Sequence, residues 1–492
     1  MRLIDVMLRY PAVGDNFPAP DTKLTGICYD SRQVRPGNLF VAIPGTKVDG
    51  HDYVADALAT GAIAAIVDRE RLSALPSGLC YLAAPDPREA LAWTSACFYG
   101  FPGRSLQLLG VTGTNGKTTT THLLEAALQS HGQPSGLIGT LGARYIAGGL
   151  TTTVDLGFTT PQAPELQQLL AMMVDAGVRS VAMEVSSHAL DQQRVAHLGF
   201  KAGIFTNLTR DHLDYHRTTE AYALAKAKLF SSLESTDFAI LNADDPGLAQ
   251  LSQAGPAQIF TYGLENNCDF TIKDIRLTAT SSEGTLCTPT HEYCFRLPLP
   301  GRFNLYNALA AIATATALGL DLDNVLAALE HIPGIPGRIE RVTPANYPFT
   351  VLVDYAHTPD GLENVLKTIR DFTTGRLICV FGCGGDRDRT KRPMMGDIAS
   401  QWADVVCLTS DNPRSEDPQT IIADISAGIA GNYHAIVDRS EAINWAIRQA
   451  KPGDTIILAG KGHETYQLIA ERKIAFDDRE VARLVLRELA AG

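Results

Sequence analysis

Short apolar segments alternate with stretches of helical spacing along most of this 492-residue chain. In the first hundred residues the apolar runs are brief and strand-like, at 26–29, 38–43 and 62–67, and a turn at 100–103 ends this region. Beyond it, apolar runs at 106–111, 181–185, 203–206 and 238–241 alternate with amphipathic helices. This alternation predicts a doubly wound sheet whose strands pair at least partly in parallel.

The pattern changes twice more toward the C-terminus. Residues 257–300 lack helical periodicity and predict an antiparallel β insertion, and the prolines and glycines at 331–337 interrupt the chain. Strand–helix alternation then resumes, with strands expected at 350–354, 377–381, 405–409 and 455–459. We therefore predict an α/β protein of three domains: a small mixed α/β domain at 1–100, a central P-loop doubly wound domain with a β insertion at 101–334, and a Rossmann-like domain at 335–492.

Composition and charge narrow the class of protein. The chain is 45% hydrophobic and 20% charged, which is typical of a globular protein with a large core. Its net charge is −12 and its basic residues are scattered, so a nucleic-acid partner is not expected. We find no apolar span of about 18 residues and no convincing signal peptide. Nine cysteines without a C-x-x-C pair favour reduced thiols in a cytoplasmic protein.

The segment GVTGTNGKTTT at 110–120 carries the strongest chemical signal. It follows an apolar strand and opens a stretch of helical spacing at 122–129, which is the context of a phosphate-binding loop. Glycines let backbone N–H groups approach anionic oxygens, and the helix N-terminus adds partial positive charge. A strict G-x-x-x-x-G-K-[ST] pattern would have glycine where this chain has Val111, so an ordinary glycine-rich turn is the alternative. The predicted loop residues are Gly113, Thr114, Asn115, Gly116, Lys117, Thr118 and Thr119.

Polar residues also follow the other predicted strands. In open α/β sheets ligands lie beyond the carboxyl ends of the strands, so these segments predict a site. They are EVSSH at 184–188, TNLTRDHLD at 206–214, DYAHTP at 354–359, GCGGDRD at 382–388, SDNPRSEDP at 410–418 and GKGHETY at 460–466.

Taken in order, these motifs resemble those of the Mur ligases, the ATP-dependent amide-forming enzymes of peptidoglycan precursor synthesis. The resemblance covers nearly the whole chain, from YDSRQVRPGNLFVA near its start through GTNGKTTT, MEVSSHALDQQRV, TNLTRDHLDYH, GRFNLYNALAA, GIPGRIERV and VDYAHTPD to DNPRSEDP and GKGHETYQ. It implies addition of meso-diaminopimelate to UDP-N-acetylmuramoyl-L-alanyl-D-glutamate through an acyl-phosphate. The family's loop reads G-T-N-G-K-T, which accounts for Val111.

The resemblance also implies how ATP and metal ions are held. Lys117, Glu184, His212 and Lys226 become the candidate catalytic residues, and Mg²⁺ ligands are expected from Thr118, Glu184, His212 and a carbamate on Lys226. A carbamate presents anionic oxygens, whereas an ammonium would repel the ion. The alternatives are a surface carboxylate for Glu184, a hydrogen-bonding histidine for His212 and a solvated surface lysine for Lys226. Further ATP contacts are implied for Asn304, Asn307, Arg338, Asp354 and His357, although Asn304 is also a candidate helix N-cap.

Two further groups of residues are implied for the other substrates. The UDP-sugar peptide would contact Tyr29, Ser31, Thr46, Lys47, Val48, Phe158, Thr159, Thr160, Ser186, Gln192 and Arg194. The family often has a polar residue where this chain has Phe158. Diaminopimelate would contact Arg387, Asp411, Asn412, Pro413, Arg414, Gly460 and Glu464. Arg414 is expected to bind the distal carboxylate bidentately, against the alternative of an Asx-Pro turn with a solvent-facing arginine.

Other functions remain as alternatives at this stage. They are a lysine-adding Mur ligase, a folylpolyglutamate-synthetase-like ligase, a P-loop ATPase switch and a non-catalytic nucleotide-binding scaffold. The first-domain motif and DNPR argue against the second, and the motifs of the C-terminal domain argue against the third. We expect a monomer that binds only small molecules and does not insert into a membrane.

Overall fold

The fold was described from a computed structural model that covers residues 1–13, 17–45, 48–76, 79–278, 280–344 and 346–491. It has three α/β domains, as the sequence predicts. The N-terminal domain has a five-stranded sheet in the order β1-β5-β4-β3-β2, parallel except for β1. Its strands are β1 (Ala12–Val13), β2 (Gly26–Cys28), β3 (Asn38–Val41), β4 (Ala64–Asp68) and β5 (Tyr81–Ala84), and its helices are α1 (Leu3–Met7), α2 (Val54–Thr60) and α3 (Pro87–Phe98).

The central domain is built on an eight-stranded sheet in the order β13-β12-β11-β6-β10-β7-β8-β9, with β8 and β9 antiparallel. The strands are β6 (Gln107–Thr112), β7 (Ser135–Gly139), β8 (Gly142–Ala147), β9 (Leu150–Val154), β10 (Ser180–Glu184), β11 (Phe200–Phe205), β12 (Phe238–Asn242) and β13 (Gln258–Tyr262). The helices are α4 (Lys117–Gln129), α5 (Ala163–Asp175), α6 (Ser187–Asp191), α7 (Leu213–His216), α8 (Thr219–Ser231), α9 (Leu248–Leu251), α10 (Arg302–Ala317) and α11 (Leu322–Glu330).

The predicted β insertion is confirmed only in part. Strands β14 (Thr271–Leu277), β15 (Ser282–Cys287) and β16 (Glu292–Leu297) form a separate antiparallel sheet. However, β13 pairs in parallel with β12 and therefore belongs to the main sheet. A short half-buried strand at the edge of a parallel sheet has no distinctive period, so its sequence does not separate it from the insertion.

The C-terminal domain has a six-stranded sheet in the order β17-β18-β22-β19-β20-β21, parallel except for β17. The strands are β17 (Glu340–Arg341), β18 (Thr350–Asp354), β19 (Leu377–Phe381), β20 (Val405–Leu408), β21 (His434–Ala435) and β22 (Thr455–Ala459), followed by a hairpin of β23 (Tyr466–Ile469) and β24 (Arg472–Ala475). The helices are α12 (Pro359–Arg370), α13 (Lys391–Trp402), α14 (Pro418–Ser426), α15 (Arg439–Gln449) and α16 (Asp478–Ala491).

Two helix starts differ from the sequence-based expectation. Helix α4 begins at Lys117 and not near 122, because Gly116 adopts a left-handed conformation directly before it. Helix α10 begins at Arg302 after Gly301, so Asn304 lies inside its first turn and the N-cap interpretation is wrong. In the described part of the chain, no helix is both long and apolar enough to cross a membrane.

Candidate functional site

The loop between β6 and α4 depends on two glycines with positive φ. Gly113 has φ +147° and Gly116 has φ +87°. A Cβ atom on Gly113 would lie 1.8 Å from Oγ1 of Thr206, and one on Gly116 would lie 2.3 Å from Oδ1 of Asn307. The loop therefore packs closely against Thr206 and Asn307 and leads directly into the N-terminus of α4, where unpaired backbone N–H groups favour an anion. The local structure is therefore that of a phosphate cradle.

A half-buried lysine and a buried lysine meet at one carbonyl of this loop. Nζ of Lys117 donates to the carbonyl oxygens of Gly113 and Thr114 at 3.0 and 2.8 Å, and Nζ of Lys226 donates to that of Gly113 at 2.8 Å. Lys226 is 1% exposed and its Nζ lies 4.3 Å from the ring centroid of Tyr222. Burial and the neighbouring charge of Lys117 hold the pKa of Lys226 well below its usual value. Lys226 is therefore not the solvated surface lysine that was its alternative.

Glu184 is buried at the end of β10, with 1% exposure, so it is not a surface carboxylate. Its Oε1 accepts a hydrogen bond from the backbone N–H of Thr140 at 2.9 Å, and its Oε2 accepts one from the Thr140 hydroxyl at 3.0 Å. The Thr140 hydroxyl also lies 3.1 Å from that of Thr159. Thr140 was missed in the sequence, although it directly follows the apolar run of β7. It fixes the direction of the carboxylate.

His212 adopts a left-handed backbone with φ +54° and lies in a group of aromatic rings. Its ring centroid is 4.8 Å from that of His188, and its Nε2 is 3.3 Å from Oδ2 of Asp211. Burial lowers the pKa of the His212 imidazole, which favours the neutral form that can ligate a metal ion. Among the described residues, no three His, Cys, Asp or Glu side chains cluster closely enough to hold a metal ion by themselves.

The C-terminal domain contributes side chains to the same loop. Nη2 of Arg338 donates to the hydroxyl of Thr118 at 3.0 Å, and its guanidinium carbon lies 4.9 Å from the ring centroid of Tyr355. Asp354 is buried, and its two carboxylate oxygens each accept a backbone hydrogen bond of 2.7 Å, from Ile339 and Ala356. Burial raises the pKa of Asp354. Asp354 therefore fixes the backbone at Ile339, before β17, and at Ala356, directly after β18.

Asp360, which the sequence analysis did not single out, joins the two domains. Its Oδ2 accepts from Nδ2 of Asn115 at 2.8 Å and from the Thr209 hydroxyl at 3.4 Å. Burial raises the pKa of Asp360. Its spacing from Asn115 in the sequence, 245 residues, gives no local signal of this contact.

These groups line one cavity of about 510 Å³ between the central and C-terminal domains. It brings together most of the predicted nucleotide and metal residues: Gly113, Thr114, Asn115, Gly116, Lys117, Thr118, Thr119, Glu184, His212, Lys226, Asn307, Arg338, Asp354 and His357, with Thr159 and Ser186 of the sugar-peptide group. Asn304 does not line it. Its side chain donates to the carbonyl of Pro300 at 2.8 Å and accepts from Nδ2 of Asn307 at 3.1 Å, so it supports a residue that does line the cavity.

A second cavity, of about 210 Å³, lies between the N-terminal and central domains. Arg194 and Gln192 line it, and Nη2 of Arg194 donates to Oε1 of Gln192 at 2.7 Å. Nη1 of Arg194 donates to the carbonyl of Thr160 at 3.0 Å, and the guanidinium lies 5.8 Å from the ring centroid of Phe158. Arg88, which lines the same cavity, was missed in the sequence.

The remaining sugar-peptide residues are distributed around these cavities. The Thr160 hydroxyl donates to the carbonyl of Glu184 at 2.9 Å, and the Ser186 hydroxyl caps α6. Burial raises the pKa of Tyr29, and Ser31 begins a short 3₁₀ turn. Phe158 and Val48 are 60% and 55% exposed, and Thr46 and Lys47 lie outside the described residues.

The predicted amino-acid residues lie in the segments that follow β19, β20 and β22. Arg414 has φ +51°, and its Nη1 donates to the carbonyl of Gly385 at 2.7 Å. Burial and the charge of Arg387 lower the pKa of Arg414, while the carboxylates of Asp411 and Glu464 oppose this. The guanidinium is half-buried and held by the fold, so it does not belong to a solvent-facing turn.

The other members of this group pack around it. Nδ2 of Asn412 donates to Oε2 of Glu464 at 2.9 Å. Gly460 has φ +111°, and a Cβ atom there would lie 2.6 Å from Oδ2 of Asp411. Pro413 is buried, whereas Arg387 is exposed and donates to the carbonyl of Asp386 at 3.3 Å.

Comparisons with known proteins find similarity along most of the chain. Three family models match successive segments: the Mur ligase family, catalytic domain, at residues 23–93; the Mur ligase middle domain at 111–315; and the Mur ligase, glutamate ligase domain, at 337–462. The chain is 50% identical over 478 residues to the UDP-N-acetylmuramoyl-L-alanyl-D-glutamate--2,6-diaminopimelate ligase of Synechococcus elongatus, covering 96% of this chain and 95% of that protein. It is 48% identical over 488 residues to the ligase of the same name from Gloeobacter violaceus, covering 99% and 98%.

A solved structure has the same architecture. It is named UDP-N-acetylmuramoyl-L-alanyl-D-glutamate--2,6-diaminopimelate ligase, is 34% identical, and superposes with a TM-score of 0.69 over 100% of this chain and 99% of that one. The similarity therefore extends over all three domains.

Proposed function

This chain belongs to the Mur ligase family, and from that membership we propose that it is an ATP-dependent ligase that joins meso-diaminopimelate to UDP-N-acetylmuramoyl-L-alanyl-D-glutamate. The observation that carries the proposal is identity of about half the residues with ligases of this activity over nearly the full length. The Arg414 site supports the choice of amino acid. We propose domain limits of 1–100, 101–334 and 335–492, close to the three matched segments.

The proposed reaction has two steps. A carboxylate oxygen of the D-glutamyl residue attacks the γ-phosphorus of ATP, and ADP leaves with the electron pair of the broken P–O bond. The amine of diaminopimelate then attacks the acyl carbon, inorganic phosphate leaves, and the nitrogen loses a proton. Both steps concentrate negative charge, so the site has to position the reactants and stabilise that charge.

The phosphate loop supplies this stabilisation for ATP. The turn at Gly113 and Gly116 exposes backbone N–H groups, and Lys117 lies against the loop with its ammonium on two loop carbonyls. Arg338 reaches the same place from the C-terminal domain through the Thr118 hydroxyl. A bound triphosphate would thus meet positive groups from two domains, which makes its binding dependent on their closed arrangement.

The residues present fit Mg²⁺. The ion usually keeps several waters and takes one or two carboxylates together with substrate phosphates. Buried Glu184, fixed by Thr140, is such a carboxylate, and Thr118 and neutral His212 add further ligands. We propose that these three hold Mg²⁺, which when bound would neutralise charge on the transferred phosphoryl group.

Lys226 is suited to carbamate formation. Its amine is buried, and the adjacent Lys117 disfavours a second positive charge at this place, so the neutral and nucleophilic form is promoted. Its nitrogen would attack CO₂ and lose a proton, which gives an anionic carbamate. Glu184 is the only carboxylate among the ligands proposed above. We propose that the carbamate adds a second anionic ligand beside Glu184 and His212.

The proposed choice of diaminopimelate over lysine depends on charge. Diaminopimelate differs from lysine by a carboxylate on its distal carbon, and a guanidinium binds a carboxylate through two parallel hydrogen bonds. Arg414, with Arg387 nearby, provides the positive side of this site, and Asp411 and Glu464 provide the negative side. The proposed sugar-peptide site is the cavity at Arg194, together with Tyr29, Ser31, Thr46, Lys47, Val48, Phe158, Thr159, Thr160, Ser186 and Gln192.

The decisive experiment measures phosphate release from ATP with UDP-N-acetylmuramoyl-L-alanyl-D-glutamate and either meso-diaminopimelate or L-lysine. We expect release with diaminopimelate and weak release with lysine. Strong release with lysine would favour the lysine-adding alternative, and release without either substrate would favour an ATPase switch.

The setting of the protein follows from the same proposal. Its proposed substrates are small molecules of the cell interior. We propose that it acts in the cytoplasm as a monomer. Size-exclusion chromatography with light scattering tests the oligomeric state.

A further inference from the structure

Lys461 is a fully buried lysine within the proposed amino-acid site, and the reaction scheme above does not use it. Its side chain is 0% exposed. Nζ donates to Oε2 of Glu464 at 2.9 Å and to Oδ1 of Asn412 at 3.1 Å, and it lies 3.8 Å from Oδ1 of Asp411. A buried ammonium persists only where its charge is paired and its hydrogens are used, and these three neighbours meet that condition.

The contacts of Lys461 leave little freedom in its partners. Oδ1 of Asn412 accepts from Lys461 and also from the backbone N–H of Leu468 at 2.9 Å, and Nδ2 donates to Glu464. The Asn412 amide is therefore largely occupied by the protein. Oε2 of Glu464 accepts from both Lys461 and Asn412, so Oε1 is its less constrained oxygen.

This arrangement also sets the charge that a ligand would meet. Asp411 and Glu464 carry two negative charges and Lys461 one positive charge, which leaves one net negative charge in the group. The neighbouring Arg414 guanidinium adds a positive charge. One negative and one positive centre are complementary to the distal end of diaminopimelate, which carries an ammonium and a carboxylate. The distal end of lysine carries the ammonium alone.

We propose that Lys461 is a positioning residue that sets the preference for diaminopimelate over lysine. It does so by compensating one carboxylate of the Asp411–Glu464 pair and by directing Oε1 of Glu464 toward the ligand. This inference rests on the proposed function. Without Lys461 the group carries two uncompensated negative charges, which favours the purely cationic end of lysine and disfavours the carboxylate of diaminopimelate.

The test is Lys461→Met, which keeps most of the side-chain volume and removes the charge. We expect the KM for diaminopimelate to rise roughly 10- to 100-fold, the range of a lost charge-assisted hydrogen bond. The KM for ATP should change less than about twofold, since the proposed ATP site is the separate cavity at the phosphate loop. The ratio of kcat/KM for diaminopimelate to that for lysine should fall at least about tenfold. Lys451→Met, at an exposed lysine of the same domain, should leave all three values unchanged.

A second variant separates charge compensation from folding. Lys461→Met with Glu464→Gln restores one net negative charge, so the preference lost in the single variant should be partly regained, and the two substitutions should be strongly non-additive. Lys461→Arg should retain part of the preference.

Several results would overturn the inference. One is a variant that loses activity with both amino acids equally, and another is a double variant whose effects are additive. If Lys461→Met does not fold, Lys461→Gln removes the same charge and keeps a polar group, and an unaltered preference in that folded variant would mean that the residue is only structural. Failure of the wild-type protein to use diaminopimelate would instead overturn the proposed function.

Discussion

The guanidinium of Arg338 donates a 3.0 Å hydrogen bond to the hydroxyl of Thr118, across 220 residues of sequence and between two domains. Thr118 is in the first turn of the helix that follows the phosphate loop, and Arg338 lies just after the proline-rich interruption at 331–337. An arginine at this place adds to the positive potential of the helix N-terminus. The C-terminal domain is therefore already in contact with the loop in the arrangement described.

Removal of Arg338 is expected to weaken ATP use. In Arg338→Ala the KM for ATP should rise roughly 10- to 100-fold, because one charge-assisted phosphate contact is lost. The KM for diaminopimelate should stay within about twofold. Steady-state phosphate release at varied ATP measures both. Arg487→Ala, at an exposed arginine of α16, is the matched control, and equal KM values in the two variants would contradict a role for Arg338 in ATP binding.

The close approach at Gly113 predicts a different kind of defect. An alanine Cβ would lie 1.8 Å from the Thr206 hydroxyl, which donates to the carbonyl of Asn115 at 2.6 Å. Gly113→Ala must therefore displace the loop, and we expect at least about a tenfold rise in the KM for ATP. Gly132 also has positive φ, +66°, but nothing lies within 4 Å of its Cβ position.

Gly132→Ala is thus a control for backbone strain alone, with an expected loss of about 1 kcal/mol in stability and unchanged ATP use. Thermal unfolding of both variants, with and without ATP, separates the two effects. If both variants bind ATP like the wild type, the close approach at Gly113 does not matter for the nucleotide.

Much of the fold can be predicted from the sequence, because buried parallel strands are continuous apolar runs between turn residues. The expected strands at 350–354, 377–381 and 455–459 coincide with β18, β19 and β22. The start of α4 is missed because its four threonines lack the usual helical pattern. Inside the helix, the Thr121 hydroxyl donates to the carbonyl of Thr118 at 2.9 Å.

The residues of the site can be predicted only in part, because some of them depend on tertiary contacts. Residues within motifs, such as Lys117 and Glu184, can be chosen because their chemistry and strand-end position coincide. Asp360 and Lys461 lie within quoted motifs, but neither they nor Thr140 were singled out, since their importance comes from partners that only the tertiary fold brings near.

Lys226 allows a test of the carbamate. Lys226→Ala should lower kcat roughly 100-fold or more, because a proposed metal ligand is lost. A short carboxylic acid added to the assay should restore part of the rate, since it can supply an oxygen ligand in the space vacated. Lys228→Ala is the control, because Lys228 is exposed and pairs with Asp191 at 2.8 Å.

Mass spectrometry under conditions that preserve carbamates should detect one added CO₂ on the wild-type protein and none on Lys226→Ala. An intact rate in Lys226→Ala would contradict the role of this residue. Loss of rate without rescue, together with no added CO₂ in the wild type, would leave Lys226 as an amine that supports the loop through Gly113.

Substitution of Arg414 tests how the distal carboxylate of diaminopimelate is bound. In Arg414→Lys the positive charge remains, but the planar fork that matches a carboxylate is lost. We expect the KM for diaminopimelate to rise roughly tenfold or more and the KM for ATP to change little. Arg387→Lys, at the exposed neighbour, should have a smaller effect, since its charge lies farther toward solvent. Unchanged kinetics in Arg414→Lys would mean that charge alone, set by this cation and by the compensated carboxylates of Asp411 and Glu464, selects the amino acid.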